Sequence, residues 1–180
     1  MRLHETCSIA FAILLCACVS DAQAQSPYGI GRPATPAEIA GWNIDIGRSG
    51  GNLPPGRGSV ADGREVYAQQ CTSCHGEKGE GGLGDRLAGG QGTIGTAKPI
   101  RTVGSFWPYA TTLFDYIRRA MPQNAPQSLS DDDVYAVSAY VLNLNGLVGA
   151  DATLDAKSLS AVKMPNRDRF VGDARPDVKR

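Results

Sequence analysis

The sequence predicts an all-α fold with extended arms at both ends, and three observations carry that reading. Segments near residues 59–71, 111–121 and 130–145 show helix caps or apolar residues at helical spacing. No segment alternates apolar and polar residues as a half-buried strand would. Residues 25–58 are rich in Gly and Pro, and 146–180 form a polar tail broken by Pro165 and Pro176. They read as an N-terminal arm and a C-terminal arm around a domain at 59–145.

The first helix opens at Ser59 or Asp62, both good caps, and runs through Val60, Val66, Tyr67 and Gln70 into Cys71. Residues 76–95 hold nine glycines in twenty positions, too many for a regular element but suited to a chain lying close against something flat. The second helix, TTLFDYIRRAM, sets Leu113, Ile117 and Met121 four apart, and Pro122 stops it. In the third, Ser130 caps a first turn of Asp131, Asp132 and Asp133, where the helix dipole favours anions. Val134, Val137, Tyr140, Val141 and Leu144 form its apolar stripe, and Asn145-Gly146 closes it.

Neither arm has the period to bury itself, so each needs another surface or stays disordered. Trp42, Ile44 and Ile46 in the first, and Met164 and Phe170 in the second, are apolar anchors that favour a surface. Residues 163–180 carry six basic against three acidic side chains, which suits an acidic partner. Over the whole chain 18 basic residues balance 18 acidic ones. With no basic, aromatic-interleaved patch, a nucleic-acid partner is not expected.

Residues 1–24 read as a signal peptide: Arg2 begins a short charged region, 9–19 is apolar, and Ala22-Gln23-Ala24 supplies small residues for cleavage before Gln25. Eleven apolar residues are too few to cross a bilayer as a helix, so no transmembrane anchor is expected. Lipoprotein processing at Cys18 is the competing reading. Either cleavage removes His4, Cys7 and Cys16, and cleavage before Gln25 also removes Cys18. Cys71, Cys74 and His75 are then the whole Cys and His inventory.

Those three residues lie together in Cys71-Thr72-Ser73-Cys74-His75. A thioredoxin-like pair would follow a strand and open a helix, whereas this one ends a helix. Structural zinc wants four such ligands and only three are present. Gly79 to Gly84 also fits G-x-G-x-x-G, yet it joins no strand to a helix, so it is a glycine loop that happens to match. A disulfide beside a histidine is the bland alternative. Haem attachment needs two thiols for the vinyl groups and a neighbouring imidazole for the iron, which C-x-x-C-H supplies. With His75 on one side of the iron, the candidates for the other are Met121 and Met164. Met121 is favoured because it closes an amphipathic helix, while Met164 lies in a polar tail.

With Val66-Tyr67 before the motif, Met121-Pro122, and Leu129 to Val134 followed by Ala139-Tyr140-Val141, the chain resembles class I cytochrome c. The likeness covers 59–145. It implies Cys71 and Cys74 as thioether sites for one covalent haem c, with His75 and Met121 as axial ligands. Such cytochromes often have a loop proline whose carbonyl orients the proximal imidazole; Gly84-Asp85-Arg86-Leu87 has none, and the orienting carbonyl is left open.

The flanks, among them Thr35 to Ile39, Gly41-Trp42, Leu53 to Gly56, Leu87 to Gly92, Val103 to Ala110 and Val162 to Asp168, resemble the cytochrome subunit of sulfur-compound dehydrogenases. The resemblance implies a periplasmic electron-transfer subunit with no catalytic side chain of its own. Its partner would be a molybdenum-cofactor subunit oxidising sulfite or sulfane sulfur, with a soluble cytochrome c or an oxidase downstream. A free-standing electron shuttle is the alternative. Arg101, Trp107 and Tyr109 are candidate partners of the haem propionates, against ordinary core or surface roles.

Overall fold

The computed structural model describes residues 28–172; the expected leader at 1–24, with Cys18, and residues 173–180 lie outside them. The chain divides into two units, 1–43 and 44–180. In the first, Thr35 caps helix α1 (Pro36–Trp42) in a capping box with Glu38, and Pro36 sits in the first turn where its missing N–H costs nothing. Arg32 pairs with Glu38 at 2.5 Å. That ion pair, and then the Thr35 amide and hydroxyl, hold the Glu38 carboxyl down to about 2. No residue of α1 is buried. The expected extended arm thus contains a helix, started by a T-P-A-E signature too short to show a period.

The second unit runs β1 (Arg57–Ser59), α2 (Val60–Gln70), α3 (Thr72–His75), α4 (Ala110–Ala120), α5 (Asp131–Leu144), β2 (Thr153–Asp155) and α6 (Ala156–Ala161). It is mostly helical, as expected, but the strand pair is an addition. β1 and β2 are antiparallel, with Arg57 opposite Asp155 and Ser59 opposite Thr153. Three residues give too few alternations to be recognised as strand from the sequence.

Helix α5 is the centre of the fold. Its Ser130 cap accepts the Asp133 amide, and the chain leaves it in a Schellman turn, Gly146 N–H to Asn143 O at 2.8 Å and Leu147 N–H to Leu142 O at 3.0 Å. The expected stripe is wider than a stripe: every residue from Val134 to Leu142 is buried, including Ser138. A helix buried all round is a core helix, and packing on several sides is the reason. On one side α2 and β1 come in through glycines. A Cβ on Gly63 would lie 1.9 Å from the Ala136 carbonyl oxygen, and one on Gly58 2.1 Å from the Ala136 amide nitrogen.

Helix α4 buries Leu113, Phe114 and Ile117, and the Phe114 ring meets the Tyr135 ring of α5 at 4.4 Å between centroids. Its Asp115 carboxylate accepts the Ile46 amide at 3.0 Å and pairs with Arg119. Thr111 donates to the Arg48 carbonyl at 3.1 Å, and Tyr135 donates to that of Pro54 at 2.8 Å. Residues 46–54 are therefore fastened to α4 and α5. The C-terminal segment corrects the expectation more strongly. Leu154, Leu159, Val162 and Met164 are buried in the same cluster as α5, so this stretch covers the chain's own core and does not need a foreign surface.

The Gly63 contact generates a test. Ala is favoured over Gly by about 1 kcal/mol inside a helix, whereas overpacking a tight contact costs about 1–3 kcal/mol. With Ala136 backbone in the way, the steric cost wins. Gly63→Ala is expected to lower the denaturant midpoint; a variant more stable than the parent would show that α2 and α5 do not meet there.

Candidate functional site

Helix α2 delivers the cysteine motif. Tyr67, 1% exposed, anchors the helix end by packing its ring, tilted 57°, against that of Tyr140 of α5 at 5.2 Å and by donating its hydroxyl to the Gly76 carbonyl at 2.9 Å. Burial, before any neighbouring charge, pushes its phenol well up, so it stays a donor. Cys71 then begins one tight turn: the amides of Cys74 and His75 both reach the Cys71 carbonyl, at 3.2 and 3.0 Å. Residues i, i+3 and i+4 of a turn share a face, which puts the Cys71 and Cys74 thiols and the His75 imidazole on the same side.

Both thiols are free and half-buried. Burial first, and then the nearby Cys74, raise the Cys71 thiol to about 11. It is therefore a protonated thiol at neutral pH, unlike the low-pKa thiolate of a redox pair.

The glycine loop folds back on this turn. Gly81 N–H bonds the His75 carbonyl at 2.8 Å and Gly84 N–H that of Cys74 at 2.8 Å, while Leu87 and Ala88 both donate to Gly79 O. At Gly84 the backbone lies against the imidazole: a Cβ there would sit 2.8 Å from His75 Cε1 and 3.0 Å from Nδ1. The next residue supplies the carbonyl that the sequence left open. His75 Nδ1 lies 2.7 Å from the Asp85 carbonyl oxygen. A carbonyl only accepts, so Nδ1 carries the proton and Nε2 keeps the lone pair a metal requires. A backbone acceptor leaves no mark in residue type, which is why spacing did not find it.

Met121 comes from a different element. It is half-buried just beyond α4, not within it, because the residue before a proline avoids helical backbone; its φ is −123° and ψ 144°. Met164 is 4% exposed and packed in the core. Of the three candidate propionate partners, Arg101 lies over the Phe106 ring at 5.4 Å, Trp107 meets Tyr116 edge-on at 5.8 Å, and Tyr109 lies under Arg167 at 5.4 Å.

These residues fit haem c. Two free thiols and an imidazole of fixed tautomer share one face, and further soft donors come from elsewhere in the fold. Among the described residues, no three His, Cys, Asp or Glu side chains converge as they would on a bare ion.

A family model described as cytochrome c oxidase, cbb3-type, subunit III matches residues 58–141. A thiosulfate dehydrogenase of Stutzerimonas stutzeri (strain A1501) is 33% identical over 90 residues, 49% of this chain; the chain spans only 28% of that protein. The crystal structure of the sulfane dehydrogenase SoxCD from Paracoccus pantotrophus contains a chain 42% identical to this one, with a TM-score of 0.77, over 83% of this chain and 74% of that one. With that identity across most of both chains, and a cytochrome c-type fold around the CTSCH turn, the protein belongs to the cytochrome c subunits of sulfur-compound dehydrogenases.

Proposed function

We propose that the protein is an exported, class I, monohaem cytochrome that takes electrons from a molybdenum-cofactor subunit oxidising sulfite or sulfane sulfur. It hands them to a soluble cytochrome c or an oxidase. The observation that carries the reading is the His75 imidazole held through Nδ1 by Asp85 O, on the same helical turn as two free thiols. Cys71 and Cys74 would hold haem c covalently, each by addition of its S–H across a vinyl group, which needs no oxidant. His75 Nε2 and the Met121 thioether would be its iron ligands. Haem c, when bound, supplies storage of one electron at its iron, so a two-electron oxidation at the partner discharges in two successive steps. Methionine ligation and burial both favour a high potential, which suits an acceptor.

Removal of residues 1–24, leaving a mature chain from about Gln25, places this in the periplasm. No helix among the described residues is long and apolar enough to cross a membrane. Docking falls to the N-terminal unit, where Ile30, Ile39 and Trp42 are 79%, 52% and 89% exposed. A free-standing shuttle would have no use for such a row of apolar anchors.

Three outcomes check this. Cys71→Ala with Cys74→Ala is expected to abolish haem staining after denaturing electrophoresis; staining that survives would sink covalent attachment. The two methionines separate stability from ligation. Met164→Ala should cost about 2–5 kcal/mol with the thioether-to-iron charge-transfer band intact. Met121→Ala should lose that band, bind carbon monoxide and lower the potential; the reverse pattern would exchange their roles. Finally, Trp42→Ala should leave the haem spectrum unchanged and weaken binding to the dehydrogenase subunit by about 2 kcal/mol, some thirtyfold. Unaltered affinity in titration calorimetry would make this segment a spectator.

A further inference from the structure

We propose that Asn145 is a positioning residue for the His75 imidazole, which rests on the reading that His75 is an iron ligand. Ending helix α5 asks little of Asn145, since the turn is made by the Gly146 and Leu147 amides and its own backbone is an ordinary φ −94°, ψ 3°. Its side chain is nevertheless buried, 7% exposed, with all its hydrogen-bonding capacity used. Nδ2 donates to the carbonyls of Val141 at 2.9 Å and Leu87 at 3.1 Å. Oδ1 accepts the Gly89 amide at 3.1 Å and Gln91 Nε2 at 3.3 Å, and the Asn145 carbonyl accepts the same Gln91 nitrogen at 3.2 Å. Gly104 leaves it room: a Cβ there would fall 2.2 Å from Oδ1.

What Asn145 grips is the chain just beyond the orienting carbonyl. Leu87 is two residues from Asp85, whose oxygen holds Nδ1, and the Leu87 carbonyl takes its bonds from Asn145 and, at 3.3 Å, from the Val103 amide. Before that point the loop is held by Gly79 and the CTSCH turn, elements that would move with His75. Asn145 is thus the link between the imidazole-orienting peptide and the buried central helix. A carbonyl fixed on Nδ1–H makes Nε2 a stronger donor, and a stronger donor favours ferric over ferrous iron. Loosening the grip lets the carbonyl drift, and the ferric state loses support.

The test uses haem-loaded full-length protein and reads midpoint potential, the His75 ring-proton resonances of the ferric state, and melting temperature. Asn145→Ala is expected to shift the potential upwards and displace the His75 resonances; Gln91→Ala should move both in the same direction by less. Ser130→Ala, which removes the cap at the far end of α5, should lower the melting temperature alone. If Asn145→Ala and Gln91→Ala keep the parent's potential and His75 resonances, Asn145 is a structural staple and the proposal is overturned. Should Asn145→Ala fail to load haem, Gln91→Ala decides by the same readings. A parent protein without haem at His75 would defeat the underlying reading instead, so the two failures are distinct.

Discussion

The fold depends on one backbone contact. Gly63 of α2 and Gly58 of β1 both rest on Ala136, so the first helix and its leading strand touch the central helix with no side chain between. Dispersion attraction is weak per atom and falls off steeply with separation, so this closeness is what gives a short helix such as α2 much of its hold. Everything downstream inherits it. The C-terminal end of α2 fixes Cys71, Cys74 and His75; the C-terminal end of α5 fixes Asn145 and the loop that orients the imidazole. One crossing therefore sets both halves of the site, and a shift there would move the thiols relative to the Asp85 carbonyl.

A second constraint is that polar groups around the motif are assigned partners before any cofactor is considered. The Cys71, Cys74 and His75 carbonyls accept amides of the turn and the glycine loop, and Nδ1 is taken by Asp85. Buried backbone groups left unpaired would cost more than most side-chain contacts return. The glycines make this accounting possible. At Gly76, Gly79 and Gly81 the backbone has φ of 78°, 68° and 93°, values that side chains resist, and at Gly84 any Cβ would collide with the imidazole. What the turn leaves unsatisfied is a lone pair on Nε2 and two thiols, the set that a haem completes.

Much of this was legible in residue types. CTSCH with no other Cys or His after residue 18, Ser130 before three aspartates, and Pro122 after Met121 each carry their reason in the sequence, and the three main helices fall within a residue or so of their expected bounds. Less legible was whatever depends on backbone or on distance along the chain. Asp85 acts through its carbonyl, and any residue type could stand there. The β1–β2 pair joins positions almost a hundred residues apart, with three residues a side. Leu154, Leu159, Val162 and Met164 looked like isolated apolar residues in a polar tail, because burial by tertiary contact needs no local period. Asn145 was readable as a helix stop, which is true of its position and silent about its side chain.

That re-reading of the tail changes where docking belongs. Two arms that both lack the period of a buried element invite the same role, yet their apolar residues meet different fates. Those of 154–164 are spent on the chain's own core, leaving Phe170 and Val171, 54% and 91% exposed, as the apolar residues that follow among the described ones. Ile30, Ile39 and Trp42 remain exposed, on a segment whose capping box and Arg32–Glu38 pair already favour the helical shape. Ordering a segment at the moment of binding costs about 0.5–1.5 kcal/mol for each rotamer-rich side chain immobilised, and a backbone already biased to its bound form saves part of the ordering cost. The pre-formed segment whose apolar residues are still exposed is the better anchor. On the proposed reading the N-terminal unit is therefore the docking anchor, while the C-terminal strap is spent on closing the chain's own core.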